Sequence, residues 1–176
     1  YEFASTSKVT FPGSGIAAIA SSVANVDEIK KRMSVQTIGF DKMNQLRHVK
    51  FFKDLEGVHA HMKKHAAILR PKFEMVEATL EKELGGLGIG EWTTPKGGYF
   101  ISFESLDGCA KKIVAMAKEA GVVMTGAGAT YPYGKDPKDS NIRIAPSFPP
   151  IEELEKAAQV FVVCVKLASV EKLLAE

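Results

Sequence analysis

A long apolar stripe runs through the middle of the chain. Val58, Met62, Ala66, Leu69, Phe73, Val76, Leu80 and Leu84 recur at steps of three and four. That period returns each side chain to one face of an α-helix, so the stripe predicts a helix far longer than average. Pro71 falls inside it and predicts a kink or a split, because proline brings no N–H to the helix ladder and its ring crowds the preceding turn. Gly85-Gly86 ends the element.

On the N-terminal side, residues 2–7 read as a short strand running into a loop, and Ile16–Val23 as a second, small-residue strand after Gly13 and Gly15. A helix is predicted to start at Asn25 or Asp27, and another over Asp41–Asp54, where Met43, Leu46, Val49 and Phe52 are spaced by three. Beyond the stripe, Glu91–Thr94 and Gly98–Glu104 predict two strands around Pro95-Lys96-Gly97. Asp107–Ala120 predicts a helix closed by Gly121, and Val122–Thr125 and Asn141–Ala145 further strands. Pro149-Pro150 opens a final helix at Ile151, reaching Leu174. This order predicts an α/β chain: residues 1–54 as the end of one layered domain, residues 55–176 as a smaller α+β domain.

Bulk composition excludes several classes of partner. The 176 residues carry 23 Lys+Arg against 21 Asp+Glu, a net charge of +2, which gives no reason to expect nucleic acid or an anionic membrane. The longest apolar runs, Ser14–Val26 and Ala157–Val170, are shorter than the ~20 residues of a membrane span or carry a charge such as Lys166. Two cysteines, Cys109 and Cys164, make no disulfide framework and point to a reducing compartment, with a cytoplasmic location expected. The chain opens on Tyr1-Glu2-Phe3, without Met and without the basic-then-apolar order of a secretory leader, which predicts a piece of something longer.

Ser5-Thr6-Ser7-Lys8 carries the most chemical information. An amine that condenses with an aldehyde must first lose its proton, and a strand-end position out of water favours that loss. Neighbouring hydroxyls and turn N–H groups can hold a phosphate without adding a charge beside the amine. Taken alone, such a short motif most often marks an exposed lysine in a polar turn. The wider pattern changes that reading. Ser5-Thr6-Ser7-Lys8-Val9-Thr10-Phe11-Pro12-Gly13 resembles the cofactor-lysine segment of class I/II aminotransferases, the fold-type I enzymes of pyridoxal 5'-phosphate (PLP). Pro95-Lys96-Gly97-Gly98-Tyr99-Phe100 is similar to the hairpin of their small domain. Asn141-Ile142-Arg143-Ile144-Ala145-Pro146-Ser147-Phe148 is similar to the segment that carries their substrate-binding arginine.

The three segments occur in the family's order and cover nearly the whole chain. The resemblance implies the C-terminal portion of a fold-type I PLP enzyme: the end of the large domain plus the small α+β domain. A bacterial aspartate aminotransferase-like subgroup is the nearest in pattern. Lys8 would be the catalytic lysine that holds the cofactor and shuttles a proton. Ser5, Ser7 and Ser14 would stand near its phosphate, and Arg143 would bind the substrate's α-carboxylate, a role suited to a planar, permanently charged guanidinium. The resemblance further implies amino-acid and 2-oxo-acid substrates, aspartate first, with a homodimer as the full-length form. The isolated piece is expected to be inactive, because the acid, the stacking aromatic and other cofactor contacts lie upstream of Lys8 in this family. The alternative is an aminotransferase-like effector-binding domain of a transcriptional regulator.

One departure stands out. The family usually places a phosphate-binding arginine just beyond the Pro-Gly, whereas Pro12-Gly13 is followed here by Ser14-Gly15-Ile16 and the next arginine is Arg32. Three other signals are discounted. Gly13-Ser14-Gly15-Ile16-Ala17-Ala18 fits a dinucleotide fingerprint, but a strand is predicted where the fingerprint needs a helix. His59, His61 and His65 read as a solvated helix face, not as metal ligands, since no cysteine or carboxylate completes the set. Trp92, Tyr99 and Phe100 read as hairpin packing.

Overall fold

The central stripe forms one unbroken helix. In the computed structural model, which describes residues 1–175, α3 spans Leu55–Leu84 with Pro71 inside it. The expected kink or split does not break the element. Pro71 is exposed, and the carbonyl it deprives of a partner belongs to Ala67, also exposed, so water can satisfy it. The buried half of the stripe, Val76, Leu80 and Leu84, then holds the C-terminal turns in a core.

The residues gather into two compact units, Tyr1–Ala67 and the chain from Ile68 onward. In the first, β1 (Glu2–Ser5) pairs antiparallel with β2 (Ala17–Ala20), with Glu2 opposite Ala20 and Ser5 opposite Ala17. Every residue of both strands is exposed. Helix α1 covers Val23–Gln36 and α2 covers Lys42–Phe52. The cap of α1 is Ser22, not Asn25 or Asp27: its hydroxyl oxygen accepts the Asn25 N–H, which starts the helix earlier than the sequence pattern indicates. Asp41 caps α2 in the same way, at 2.8 Å from the Asn44 nitrogen.

In the second unit, β3 (Gly90–Trp92), β4 (Ile101–Ser105) and β5 (Asn141–Ile144) form an antiparallel sheet in that order. Helices α4 (Ala110–Glu119) and α5 (Ile151–Ala175) complete the layer with the end of α3. Alternation along β4 turns Ile101, Phe103 and Ser105 inward. Phe103 meets Phe161 of α5 edge-to-face at 5.1 Å and lies parallel to Trp92 at 6.3 Å. Its ring also dictates the residue at position 90, because a Cβ there would come within 2.5 Å of Phe103 Cζ.

Val122–Thr125 is not a strand. Gly121, at φ 89°, closes α4 by donating to the Lys118 carbonyl, while the Val122 N–H reaches back to Ala117 at 2.8 Å. Those two bonds are a Schellman cap, and they draw the first residue of the apolar run into the helix end, away from any ladder. Val122 and Met124 pack against the core instead.

Phe103 is fully buried and Phe148 almost fully exposed. Phe103→Ala is expected to lower the unfolding free energy by about 3–5 kcal/mol, the usual scale for emptying a buried phenylalanine site. Phe148→Ala should leave it within about 0.5 kcal/mol; urea denaturation followed by tryptophan fluorescence separates the two.

Candidate active site

Lys8 stands on a turn that its own backbone closes. The Thr6 carbonyl accepts the N–H groups of Val9 (2.9 Å) and Thr10 (2.8 Å), so the chain reverses over Ser7-Lys8-Val9 and leaves Lys8 exposed. On the other limb, Thr6 N–H bonds to the Ile16 carbonyl at 2.8 Å, and the Ile16 N–H returns to the Thr6 hydroxyl at 2.9 Å. Pro12-Gly13 turns the limb back, with Gly13 at φ 76° and Ser14 N–H bonded to the Phe11 carbonyl, as a type II turn requires.

The structure brings Ser5 and Ser7 together: their hydroxyl oxygens lie 2.8 Å apart and Ser5 Oγ also accepts the Ser7 N–H. Gly15 presses against Ser7 so closely that a Cβ would stand 2.4 Å from Ser7 Oγ and 2.6 Å from its nitrogen. Ser14 is fixed through its backbone, its carbonyl receiving the Asn44 side-chain amide at 2.8 Å. An exposed amine, two coupled hydroxyls and a backbone held close by a glycine form a donor set that suits a phosphorylated aldehyde.

Arg143 lies in the other compact unit, on β5 opposite Ser102. Its neighbours Ile142 and Ile144 are buried, so alternation sends the arginine to the opposite face. There its guanidinium carbon sits 4.4 Å above the centre of the Phe100 ring. Phe100 therefore serves the arginine, not hairpin packing as its sequence context indicates, while Trp92 does pack in the hairpin as expected. Arg143 Nε is buried and has no hydrogen-bond acceptor among the described residues. A buried charged donor left unpaired costs about 1–3 kcal/mol or more, a cost that an acceptor from outside would relieve. Arg143 also borders a cavity of about 190 Å³ together with Met124, Thr125, Ala145 and Pro149.

These features coincide with a family assignment that runs the length of the chain. The family model described as "Aspartate amino-transferase" matches residues 1–176. The chain belongs to that family. It is 45% identical to the aspartate aminotransferase of Corynebacterium glutamicum over 171 residues, 97% of this chain and 40% of the relative. A crystal structure of an aspartate transaminase from the same organism superposes with a TM-score of 0.93 at 45% identity, covering 97% of this chain and 40% of that one. The α-aminoadipate aminotransferase of Thermus thermophilus, solved with N-(5'-phosphopyridoxyl)-L-leucine, shares the fold at TM-score 0.74 and 18% identity, covering 96% of this chain and 42% of that one. The chain thus spans about 40% of the length of these relatives and forms the mixed α/β C-terminal portion of the aminotransferase fold.

Within this aminotransferase portion, Arg32 does not stand in for the missing phosphate arginine. It lies on α1, largely exposed and paired with Glu28 at 3.0 Å. The fingerprint Gly13–Ala18 runs into β2, not a helix, as the sequence indicates. The histidines depart from expectation. His59 is exposed beside Glu56, but His61 and His65 are half-buried, with rings 4.4 Å apart, and His61 packs against Phe51 and Phe52. Phe11 packs against His61 and covers part of that face of α3. Among the described residues no group of three or more His, Cys, Asp or Glu could hold a metal ion. No helix among them is long and apolar enough to cross a membrane.

The strand that carries Arg143 is held by a polar knot. Asn141, buried, donates to the Glu104 carboxylate and to Ser102 Oγ, and Ser140 donates to Glu104 at 2.8 Å. Asp136 accepts backbone N–H groups from Asn141 (2.9 Å), Ser140 (2.8 Å) and Lys138 (3.0 Å). The Asn141 bond above all, with those of Lys138 and Ser140, holds its carboxyl below the usual aspartate value, against the upward push of burial. A depressed folded-state pKa contributes stability above the unfolded value, near 3.9, that disappears as pH falls through the lower folded value. Amide-exchange protection at Ser140 and Asn141 should therefore drop in that acid window. Asp136→Asn should remove the step, so an acid step that survives in this variant would contradict the assignment.

Proposed function

We propose that this chain is the lysine-bearing C-terminal part of a PLP-dependent aminotransferase that moves an amino group between an amino acid, aspartate first, and a 2-oxo acid. The observation that carries the reading is the unpaired, buried Nε of Arg143, on a strand whose segment resembles the one that carries the family's substrate-binding arginine. The aspartate preference leans on the Corynebacterium relative's name, and alanine or an aromatic amino acid follows as donor. The relatives named above are all aminotransferases, and the regulator alternative finds no support in them.

The cofactor, when bound, supplies the aldehyde and the electron-withdrawing ring that make an amino acid's α-proton removable. Everything else falls to side chains. Lys8 would hold the cofactor by condensing with its aldehyde, water leaving, and once an incoming amino group displaces it the freed amine would take the α-proton from one face and return it elsewhere. Ser5 and Ser7 would offer hydroxyls to a phosphate beside Lys8's turn, with Ser14 on the limb that returns past them, next to the Gly15 that presses on Ser7. Arg143 clamps the α-carboxylate and so orients the bond to be broken, while Phe100 keeps the guanidinium plane in place.

The first unit has the surface of a part, not a whole. Both strands are exposed, as are Phe3, Phe40, Met43, Val49 and Phe51. A two-stranded ribbon is marginal by itself, and so much uncovered apolar area calls for further polypeptide. We assign that cover to the remainder of the full-length protein, a homodimer, with residues 1–54 completing its large domain. The isolated chain is then expected to give no turnover with PLP and an amino donor.

In the full-length protein, Lys8→Ala should abolish both turnover and the visible absorbance of the bound cofactor. Arg143→Lys should keep the absorbance but lower kcat/KM by about 100-fold, the equivalent of two charge-assisted hydrogen bonds at about 1.5 kcal/mol each. Unchanged kcat/KM in Arg143→Lys would remove the carboxylate role.

A further inference from the structure

We infer that His48, on α2 and forty residues from Lys8 in sequence, is a positioning residue for the cofactor lysine, acting through Thr10 and Thr6. The inference rests on the reading of Lys8 given above and adds a residue that none of the matched motifs contains.

His48 is 5% exposed, and both of its ring nitrogens are engaged. Nδ1 lies 2.8 Å from the Asn44 carbonyl, which can only accept, so that nitrogen carries a proton. The other nitrogen, Nε2, faces the Thr10 hydroxyl 3.0 Å away. Thr10 is itself only 3% exposed, and its hydroxyl oxygen stands 2.9 Å from the Thr6 carbonyl and 3.0 Å from the Thr6 hydroxyl. Thr6 is the residue that closes the Lys8 turn through its carbonyl and joins the two limbs through its hydroxyl and N–H. A continuous polar path thus runs from the backbone of α2 to both sides of the lysine turn.

Geometry explains why the path starts at α2. Asn44 and His48 are one helical turn apart and face the same way. Asn44 holds the far limb at the Ser14 carbonyl, and His48 holds the near limb at Thr10. The two contacts grip the Lys8 loop at both feet. Phe11 fills the space between them, edge-on to His48 at 5.0 Å and to Phe51 at 5.2 Å, with the Arg47 guanidinium 5.3 Å from its other side. His61 approaches the Thr10 carbonyl from α3. A buried imidazole that joins the Asn44 carbonyl to a threonine of this turn does more than fill space: without it the Thr10 hydroxyl keeps only its contacts with Thr6, and the turn loses its tie to α2. The position of Lys8 relative to Ser5 and Ser7 would shift with it.

The test compares His48→Phe, which keeps the ring packing and loses both polar contacts, with His48→Gln, whose amide can still meet Thr10. Thr10→Val and Thr10→Ser form the matching pair on the other side. All are made in the full-length protein. The readouts are the affinity for PLP and the pH midpoint of the bound cofactor's visible band, with circular dichroism and thermal unfolding as the measure of fold. Expected are an affinity loss of about tenfold and a displaced band midpoint in His48→Phe and Thr10→Val, the scale of one buried hydrogen bond. His48→Gln and Thr10→Ser should stay within about threefold of the parent, and the His48→Phe/Thr10→Val double variant should be no worse than the weaker single. A lowered unfolding temperature with unchanged affinity and band midpoint would reduce His48 to a packing residue and overturn the inference, as would additive effects in the double variant. Should His48→Phe not fold, the Thr10 pair alone decides, since equal behaviour of Val and Ser would be equally fatal. Lys8→Ala serves as the separate control: a variant lacking Lys8 that keeps the parent's band would refute the cofactor-lysine reading itself, whatever His48 does.

Discussion

One carbonyl oxygen, that of Thr6, organises the candidate active site. By accepting from both Val9 and Thr10 it forces the backbone to reverse within three residues, and the residue at the crest of that reversal is Lys8. The remaining contacts of the loop serve to keep this turn attached to the strands. The Thr6–Ile16 pairing extends the β1–β2 ladder by one step, and the tight approach of Gly15 to Ser7 is possible only without a side chain. A lysine so placed is carried by a short, hydrogen-bonded segment, with the Ser5 and Ser7 hydroxyls on the same turn and strand end. In the reading proposed here Lys8 is a reacting amine, and a fixed backbone matters to such a group because small displacements cost rate steeply.

The second unit solves a similar problem for an arginine. A strand with buried isoleucines on either side of Arg143 cannot slip by one residue without driving a guanidinium into the core, so the register is strongly specified. The knot of Asn141, Ser140, Glu104 and Asp136 anchors the strand's first residues and ties the preceding loop to the neighbouring strand. Phe100 then determines which way the side chain lies. The Arg143 Nε is buried before any ligand arrives, and a donor already out of water binds an anion more strongly than a solvent-exposed one.

Much of this was legible in the sequence because it is local. The stripe from Val58 to Leu84 specifies a helix through its period alone, Asp41 caps α2 where an N-cap belongs, and Gly121 ends α4. Motif order likewise singled out Lys8 and Arg143 as candidates. What stayed hidden depends on partners distant in the chain. Val122–Thr125 has the composition of a strand, yet a strand exists only with a ladder partner, and the cap of α4 claims Val122 first. Pro71 breaks helices in general, but here the carbonyl it orphans is open to water while residues beyond it are locked in the core. His48 reads as an ordinary helix residue until the Lys8 loop is seen resting on it, and Phe100 reads as packing until Arg143 is seen above it.

Everything proposed for the site depends on which amine meets the cofactor. Borohydride reduction of the full-length protein with PLP, followed by proteolysis and mass spectrometry of the peptides, locates that amine directly. The expected result is a single phosphopyridoxyl modification on the peptide that contains Ser5-Thr6-Ser7-Lys8. Stoichiometric modification of any other lysine, with Lys8 unmodified, would contradict it.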